Sequence, residues 1–134
     1  MISTTSIKQL NPKLYDEVWI VTRTLKYKPA GNNVFWIQDL SPSYELLNKY
    51  ITWRRAGIWN EDTYNELYKP VFLKEMLDSR TCRDWLNQLY LKDKQGKHIC
   101  LVCYCEDYNL CHRKLLVELI DQAKIQMNNK KGVD

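Results

Sequence analysis

The segment LVCYCEDYNLCHRKLL, residues 101–116, decides the fold that the sequence predicts. It begins inside an apolar run, residues 99–104, which is typical of a buried β-strand. A short polar connection follows, and apolar residues then recur at helical spacing from residue 115 to residue 123. The segment carries three of the five cysteines and one of the two histidines. The sequence therefore predicts a strand, a tight connection and a helix start that together hold reactive side chains.

The composition is that of one folded domain. At 134 residues the chain is long enough to bury a core but short for two domains. Its 45% hydrophobic content excludes a disordered chain, which needs low hydrophobicity and high net charge. We expect a single α/β domain over residues 1–127 and a polar, frayed tail over residues 128–134.

The charge balance is mildly basic. Twenty Lys and Arg residues against sixteen Asp and Glu residues give a net charge of +4, which suits a small anionic ligand. So small a net charge does not predict nucleic acid as a partner. Nucleic acid stays an alternative because the chain has arginines that could contact phosphates, at Arg54, Arg55, Arg80 and Arg83. The expected partner is therefore a small anion.

Apolar runs and cysteine usage both bear on the compartment. No apolar run approaches the roughly 18 residues that a membrane helix needs, and residues 1–13 lack the apolar core of a secretion signal. We therefore expect a cytoplasmic protein with no membrane partner.

The cysteine count is odd, and Cys100, Cys103, Cys105 and Cys111 fall within twelve positions. This clustering favours reduced thiols that are buried, metal-bound or reactive over a disulfide scaffold.

Further strands complete the predicted sheet. They cover residues 2–6 and 17–24, Arg23 lies near the C-terminal end of the second of these, and residues 34–37 are either another short strand or only a hydrophobic anchor. Strands, a helical middle, one strong strand and a last helix suit a small α/β fold with two or three layers on a short, mostly parallel sheet. The strand ends at Arg23 and at residues 103–105 are then expected on one edge, where such folds bind ligands.

Capping residues mark the helices in the middle of the chain. Ser41 is the predicted cap of a helix with Pro42 at its first position, which runs to about Arg55 and is ended by Gly57. The further predicted caps and breaks are Asn60, Pro70 and the pair Thr81 and Asp84, which resembles a capping box.

The start of the last helix carries the chemistry. With Asn109 as the cap, Cys111, His112 and Arg113 fall in the first turn, where free backbone N–H groups favour negative charge. A thiol there can have a pKa low enough to become a thiolate nucleophile, and an arginine supplies donors for phosphate or carboxylate. The alternative is structural: a small buried cysteine, a hydrogen-bonded histidine and a surface charge.

A metal site is the third interpretation of the same stretch. Cys103, Cys105, Cys111 and His112 supply the ligand set of a Cys3His zinc site, but C-x-C and C-H are not the usual spacings. Neighbours on a helix diverge by about 100°, so an adjacent cysteine and histidine are not expected to reach one ion. No metal or other cofactor is therefore predicted, and zinc is kept as an alternative.

These residues resemble the domain of unknown function 488 (DUF488) family, whose hallmark is a Leu-x-Cys-x-Glu stretch followed by Cys-His-Arg. Cys103 and residues 111–113 match that hallmark, and residues 41–43, SPS, are similar to the family's Ala-Pro-Ser segment. One departure is that Cys105 stands where the family has Glu, and the acid is displaced to Glu106. The resemblance implies an intracellular α/β domain from bacteria or their phages, with a polar pocket at these positions.

Together these features predict one cleft for a phosphate-bearing ligand. Arg23, the helix start at Ser41 and Ser43, and the helix start at Cys111 and Arg113 are expected to face it, with Cys103 and Tyr104 beside them. A nucleotide or nucleotide-derived metabolite is the first choice. The aromatic side chains proposed to stack on its base are Trp36, Tyr44 and Tyr104.

Enzyme and binding module are the two main functional hypotheses. In an enzyme, Cys111 or Cys105 is the nucleophile, His112 or Glu106 moves a proton and Arg113 stabilises negative charge in phosphoryl or glycosyl transfer. In a binding module, the same pocket sequesters or senses the ligand, as a phage protein countering a host nucleotide signal would. A protein-interaction domain with structural cysteines, using residues 53–59, WRRAGIW, is the remaining alternative.

Overall fold

The fold is built on a four-stranded parallel sheet. The computed structural model describes residues 1–105 and 107–132. The strands are β1 (Ile2–Ser6), β2 (Glu17–Ile20), β3 (Val34–Trp36) and β4 (Ile99–Cys103). They lie in the order β1-β4-β2-β3, and each neighbouring pair is parallel. This confirms the predicted small α/β fold with a short, mostly parallel sheet.

Helices fill the middle and the end of the chain. They are α1 (Tyr44–Arg55), α2 (Glu61–Thr63), a π-helical turn (Tyr64–Tyr68), α3 (Lys69–Asp78), α4 (Arg80–Lys94) and α5 (His112–Gly132). Short 3-10 turns cover Ile7–Gln9, Pro12–Leu14, Gln38–Leu40 and Tyr108–Leu110. Among the described residues, no helix has both the length and the apolar character needed to cross a membrane.

Strand β4 is the centre of the sheet, with β1 on one side and β2 on the other. All five of its residues are buried, so its sequence is a continuous apolar run without alternation. Leu101 and its same-face neighbours pack under the helices, whereas Cys100 and Val102 face the opposite side. That second side is covered by residues of the connecting segments, including Ile7 and Leu10. The arrangement is therefore two-layered.

Strand β2 ends earlier than predicted because side chains capture the next carbonyl groups. Residues 17–24 were expected to be extended throughout, but the strand stops at Ile20. The Trp36 indole N–H donates to the Thr22 carbonyl at 2.8 Å, and the Gln38 amide donates to the Arg23 carbonyl at 2.8 Å. These bonds take the place of sheet hydrogen bonds at the Thr22 and Arg23 carbonyls.

Helix α1 begins two residues later than predicted. Ser43, not Ser41, is its cap, because the Ser43 Oγ accepts from the Leu46 N–H at 3.1 Å. Ser41 instead closes the preceding 3-10 turn, where its hydroxyl donates to the Gln38 carbonyl at 2.5 Å. The predicted end is confirmed: the helix stops at Arg55, and Gly57 follows with a φ of +73°.

The other helix boundaries follow the predicted signals in part. Asn60 caps α2 by accepting from the Thr63 N–H at 2.9 Å, as expected. The irregularity expected at Pro70 is the π-helical turn that immediately precedes α3. The capping box at Thr81 is wrong, because Ser79 accepts from the Cys82 N–H at 3.3 Å and α4 starts at the next residue.

Candidate active site

A cavity of about 200 Å³ lies at the carboxyl ends of β2 and β4. Residues 22–24, which follow β2, and residues 103–105 form part of its wall, and Leu47, Tyr50 and Arg54 of α1 form another part. The wall is completed by Pro42, Trp59, Tyr68 and residues 110–112. A second cavity of about 360 Å³ shares Tyr50, Arg54, Trp59, Tyr104, Cys105 and Leu110 with it and adds Asp107. Arg23 and Cys103 through Cys105 therefore lie on one edge, the position at which open parallel sheets bind ligands.

Three thiols meet in the wall of this cavity, and we call Cys103, Cys105 and Cys111 the thiol cluster. The sulfur atoms of Cys103 and Cys111 lie 3.2 Å apart, and both residues are buried. Cys105 lines the same cavity, close enough to influence the pKa values of both thiols. All three are free cysteines.

The cluster favours a single thiolate, on Cys111. Hydrogen bonds from the Cys103 and Cys105 thiols hold the pKa of Cys111 well below its usual value, against the effect of burial, and the neighbouring His112 lowers it further. The same contacts with Cys105 and Cys111, together with burial, raise the pKa of Cys103. One negative charge shared by three sulfur atoms disfavours a second, so Cys103 stays a thiol.

His112 is fixed beside this thiol in one tautomer. Its Nε2 lies 2.6 Å from the Val21 carbonyl oxygen, and a carbonyl only accepts, so Nε2 carries the proton. In the neutral ring, Nδ1 is then an acceptor, and it lies 3.7 Å from the Cys111 sulfur. The Phe72 ring packs edge-on at 5.6 Å and completes the burial of the imidazole. The pair can therefore exchange one proton.

Cys111 and His112 do converge, although they are adjacent in sequence. Cys111 precedes the first residue of α5 and has an extended backbone, with φ −124° and ψ 149°. The helical divergence of about 100° between neighbours does not apply to a residue outside the helix. The Cys103 sulfur, the Cys111 sulfur and a His112 ring nitrogen all lie within 4.8 Å of one another, so these three residues could hold a metal ion.

The backbone of Cys111 is held by residues distant in sequence. The Tyr64 hydroxyl donates to the Cys111 carbonyl at 2.9 Å, and burial raises the pKa of Tyr64, so this phenol stays protonated. The Cys111 N–H donates to the Tyr108 carbonyl at 3.2 Å. The predicted cap Asn109 is wrong, because it lies inside the 3-10 turn that Asp107 caps.

Arg113 does not line the cavity, contrary to the prediction. It is only 2% exposed, and its guanidinium donates to the Cys105 carbonyl at 2.9 Å and lies 5.8 Å from the Tyr108 ring. Its Nε has no hydrogen-bond partner in the described part of the chain. Arg113 therefore supports the segment that carries Cys105 from behind. Glu106, the predicted acid, lies outside the described residues.

Only one of the predicted partners from the first half of the chain reaches the cavity. Arg23 lines it, with its Nε donating to the Pro42 carbonyl at 2.9 Å. Ser41 and Ser43 line a separate cavity of about 390 Å³ instead. The Ser43 N–H and hydroxyl both donate to the Glu75 carboxylate, at 3.0 and 2.5 Å. The α1 N-terminus, predicted as an anion site, is therefore occupied by the protein's own carboxylate.

The aromatic wall is built mainly from residues that the sequence did not single out for it. Of the three predicted stacking residues, only Tyr104 lines the cavity. The Trp36 indole N–H instead donates to the Thr22 carbonyl, and the Tyr44 ring lies 5.4 Å from the Arg23 guanidinium. The residues that take their place are Tyr50, Arg54 and Trp59. Tyr50 and Arg54 are four apart in α1, a spacing that places both on one helix face and could have identified them.

Comparison with known proteins agrees with the predicted resemblance. A family model described as DUF488-N3a, the active DUF488-N3 subclade, matches residues 2–124. No curated protein and no solved structure matches the chain.

Proposed function

The chain belongs to the DUF488-N3a family, and on that premise we propose that it is a cysteine-dependent transferase or hydrolase acting on a phosphate-bearing, nucleotide-like small molecule. The observation that carries the proposal is the Cys111 sulfur, 3.7 Å from the Nδ1 of a histidine whose other nitrogen is bound to Val21. A nucleophile, a base and a group that orients the base form the arrangement of nucleophilic catalysis. The family's description as an active subclade agrees with turnover.

In the proposed step, His112 takes the thiol proton on Nδ1 and Cys111 attacks as the thiolate. The sulfur lone pair forms a bond to the electrophilic carbon or phosphorus atom of the substrate, and the bond to the leaving group breaks with its electron pair. The leaving group then accepts the proton from Nδ1. In the second half of the reaction, water or an acceptor hydroxyl gives its proton to Nδ1 and its oxygen bonds to the same carbon or phosphorus atom. The bond to sulfur breaks with its electron pair, and this restores the Cys111 thiolate.

The rim of the cavity supports an anionic, aromatic substrate. Arg54 lies exposed on the wall of both cavities, with one donor on the Tyr50 hydroxyl at 3.3 Å, and Arg23 lies on the inner wall. Two arginines suit a phosphate group. Tyr104 is 52% exposed beside them, and with Trp59 it offers a surface for a base. We place this activity in the cytoplasm of a bacterium, or of a host if the chain is phage-encoded, because thiols stay reduced there.

A substrate screen with covalent trapping tests the proposal. The purified full chain is incubated with nucleoside mono-, di- and triphosphates and nucleotide sugars, quenched in acid and weighed intact. We expect turnover of at least one compound and a transient adduct that maps to Cys111. Cys111→Ser should lower the rate by about a thousandfold or more and leave affinity within a few-fold. Cys82→Ser, a buried cysteine outside the cavity, is the matched control.

Binding measurements on arginine variants, together with the turnover assay, distinguish an enzyme from a sequestering module. Arg54→Gln should weaken binding of the phosphate compound, whereas Arg55→Gln, the neighbouring exposed arginine outside both cavities, should not. If ligand binds and depends on Arg54 but no compound is consumed, the enzyme proposal is wrong and a sequestering or sensing module replaces it. If neither binding nor turnover occurs, the choice of a nucleotide-like ligand is wrong.

A zinc site is the second candidate, because three ligand atoms converge without rearrangement. Zinc prefers four tetrahedral nitrogen and sulfur ligands, and Cys103, Cys111 and His112 would supply three of them. Titration with Co²⁺ is the test. One equivalent should give intense thiolate-to-metal absorption that Cys103→Ser abolishes and Cys82→Ser preserves. Absence of that absorption in the reduced wild-type protein would exclude the site.

A further inference from the structure

We propose that the cavity is a site of reversible oxidation, in which hydrogen peroxide converts Cys111 and Cys103 into a disulfide. The geometry that points to it is the contact between the two sulfur atoms, 3.2 Å apart in the reduced protein. A disulfide needs a separation of about 2.05 Å, so the sulfur atoms have to approach by about 1 Å. This modification goes beyond the proposed function and does not depend on it.

The two cysteines lie where such an approach is possible. Cys103 is the last residue of β4, and Cys111 is an extended residue between a 3-10 turn and α5. Neither is in the middle of a regular element, so small rotations about their side-chain bonds move the sulfur atoms without breaking the sheet or the helix. Both line a cavity of about 200 Å³, which admits a molecule the size of peroxide although both side chains are closed to bulk solvent.

The chemistry balances with peroxide as the only added reactant. The Cys111 thiolate attacks one peroxide oxygen, the O–O bond breaks, and hydroxide leaves, so that Cys111 becomes a sulfenic acid. The Cys103 sulfur then attacks the Cys111 sulfur, the S–O bond breaks, and the hydroxyl group leaves with the Cys103 proton as water. Two thiols are oxidised and one peroxide is reduced. A small dithiol reductant reverses the process.

The fold restricts which cysteine can act as the partner. Cys100 points to the opposite face of the sheet, and the Cys82 thiol donates to the Asp39 carbonyl at 3.0 Å in another part of the helical layer. Cys105 is the competitor, because its thiol also interacts with Cys111. The direct 3.2 Å contact favours Cys103. Disulfide formation would remove the proposed nucleophile until the bond is reduced.

Peptide mapping of the full chain tests this pairing without any substrate. The reduced protein is freed of metal with a chelator, exposed to peroxide, blocked with an alkylating reagent and digested without reductant. We expect a Cys103 to Cys111 cross-link with the loss of two hydrogen atoms, fully reversed by dithiothreitol. Cys105→Ser, the matched control, should form the same cross-link. The readout is the mass of the cross-linked peptides, so the result does not depend on whether the protein turns over a substrate.

Cys103→Ser supplies the complementary result. Without the resolving thiol, Cys111 should accumulate as sulfinic acid that dithiothreitol does not reverse. If the wild-type protein instead links Cys111 to Cys105, forms links between chains, or gains oxygen atoms with no cross-link, the proposal is overturned. The wild-type and Cys105→Ser maps decide the question even if Cys103→Ser fails to fold.

Discussion

Replacing Tyr64 by phenylalanine removes one hydrogen bond that connects the helical layer to the candidate nucleophile. The hydroxyl donates to the Cys111 carbonyl at 2.9 Å in a buried setting. Leaving a buried carbonyl without a partner costs about 1–3 kcal/mol. Here the same oxygen also accepts from the Lys114 N–H at 3.2 Å, so one partner remains. We therefore expect Tyr64→Phe to lower the free energy of unfolding by about 1 kcal/mol, at the bottom of that range.

Urea denaturation measures this loss directly. For a slope of about 2 kcal/mol per molar urea, the midpoint should fall by about 0.5 M with an unchanged slope, and Tm should fall by about 3–4 °C. Tyr27→Phe, a change at a side chain that is 76% exposed, should alter neither quantity. An unchanged midpoint for Tyr64→Phe would refute the assigned hydrogen bond. A loss several times larger would show that the Lys114 N–H does not compensate.

Further predictions concern charge, capping and packing. Burial raises the pKa of Glu17, but the hydrogen bond from Lys92 and the charges near it outweigh burial and hold that pKa below its usual 4.5. The Glu17 carboxylate therefore stabilises the fold fully above about pH 4.5, and this stabilisation is lost as the pH falls through the lower pKa of the folded state. In urea titrations, Glu17→Gln should lose less unfolding free energy than the wild-type protein between about pH 7 and pH 3. Ser43→Ala removes both the cap of α1 and the bond to Glu75 and should cost about 1–2 kcal/mol by thermal unfolding, and a cost near zero would contradict the cap. Phe72→Ala should cost about 3–5 kcal/mol, since the ring is fully buried, and a cost below 1 kcal/mol would contradict its place in the core.

The predicted elements that were confirmed are those with strong local patterns. The apolar run of β4 and the helical spacing of α5 depend only on neighbouring residues, and the sequence predicts both elements. The predicted end of the last helix is wrong, because α5 continues to Gly132 through residues that were expected to form a frayed tail. The end of β2 was missed because it depends on side chains of Trp36 and Gln38, which reach back across the chain to two carbonyl groups. Local propensity contains no information on such bonds.

The predicted site residues show the same difference between local sequence patterns and contacts that depend on the tertiary structure. Cys103 and Cys111 were singled out by sequence, but their 3.2 Å contact follows from the path of the chain between β4 and α5. The prediction that Arg113 lies in the cleft is wrong, and its guanidinium donates to the Cys105 carbonyl instead. Residue type at a helix start does not reveal which way a side chain points. Glu75 lies 32 residues from Ser43, and only the tertiary structure shows that its carboxylate accepts from the Ser43 hydroxyl at that helix terminus.

The central place of β4 also sets the order in which the molecule can assemble. β1 and β2 both pair with β4 and are separated by it, so among the described strands only β2 and β3 can join before residues 99–103 leave the ribosome. Pairing partners almost a hundred residues apart make folding slow, because the chain has to close a long loop before β1 and β4 can pair. A chain truncated before β4 would expose an unpaired first strand and be prone to aggregation. Because the same strand ends in Cys103, the thiol cluster reaches its place at the sheet edge only after β4 has joined the sheet.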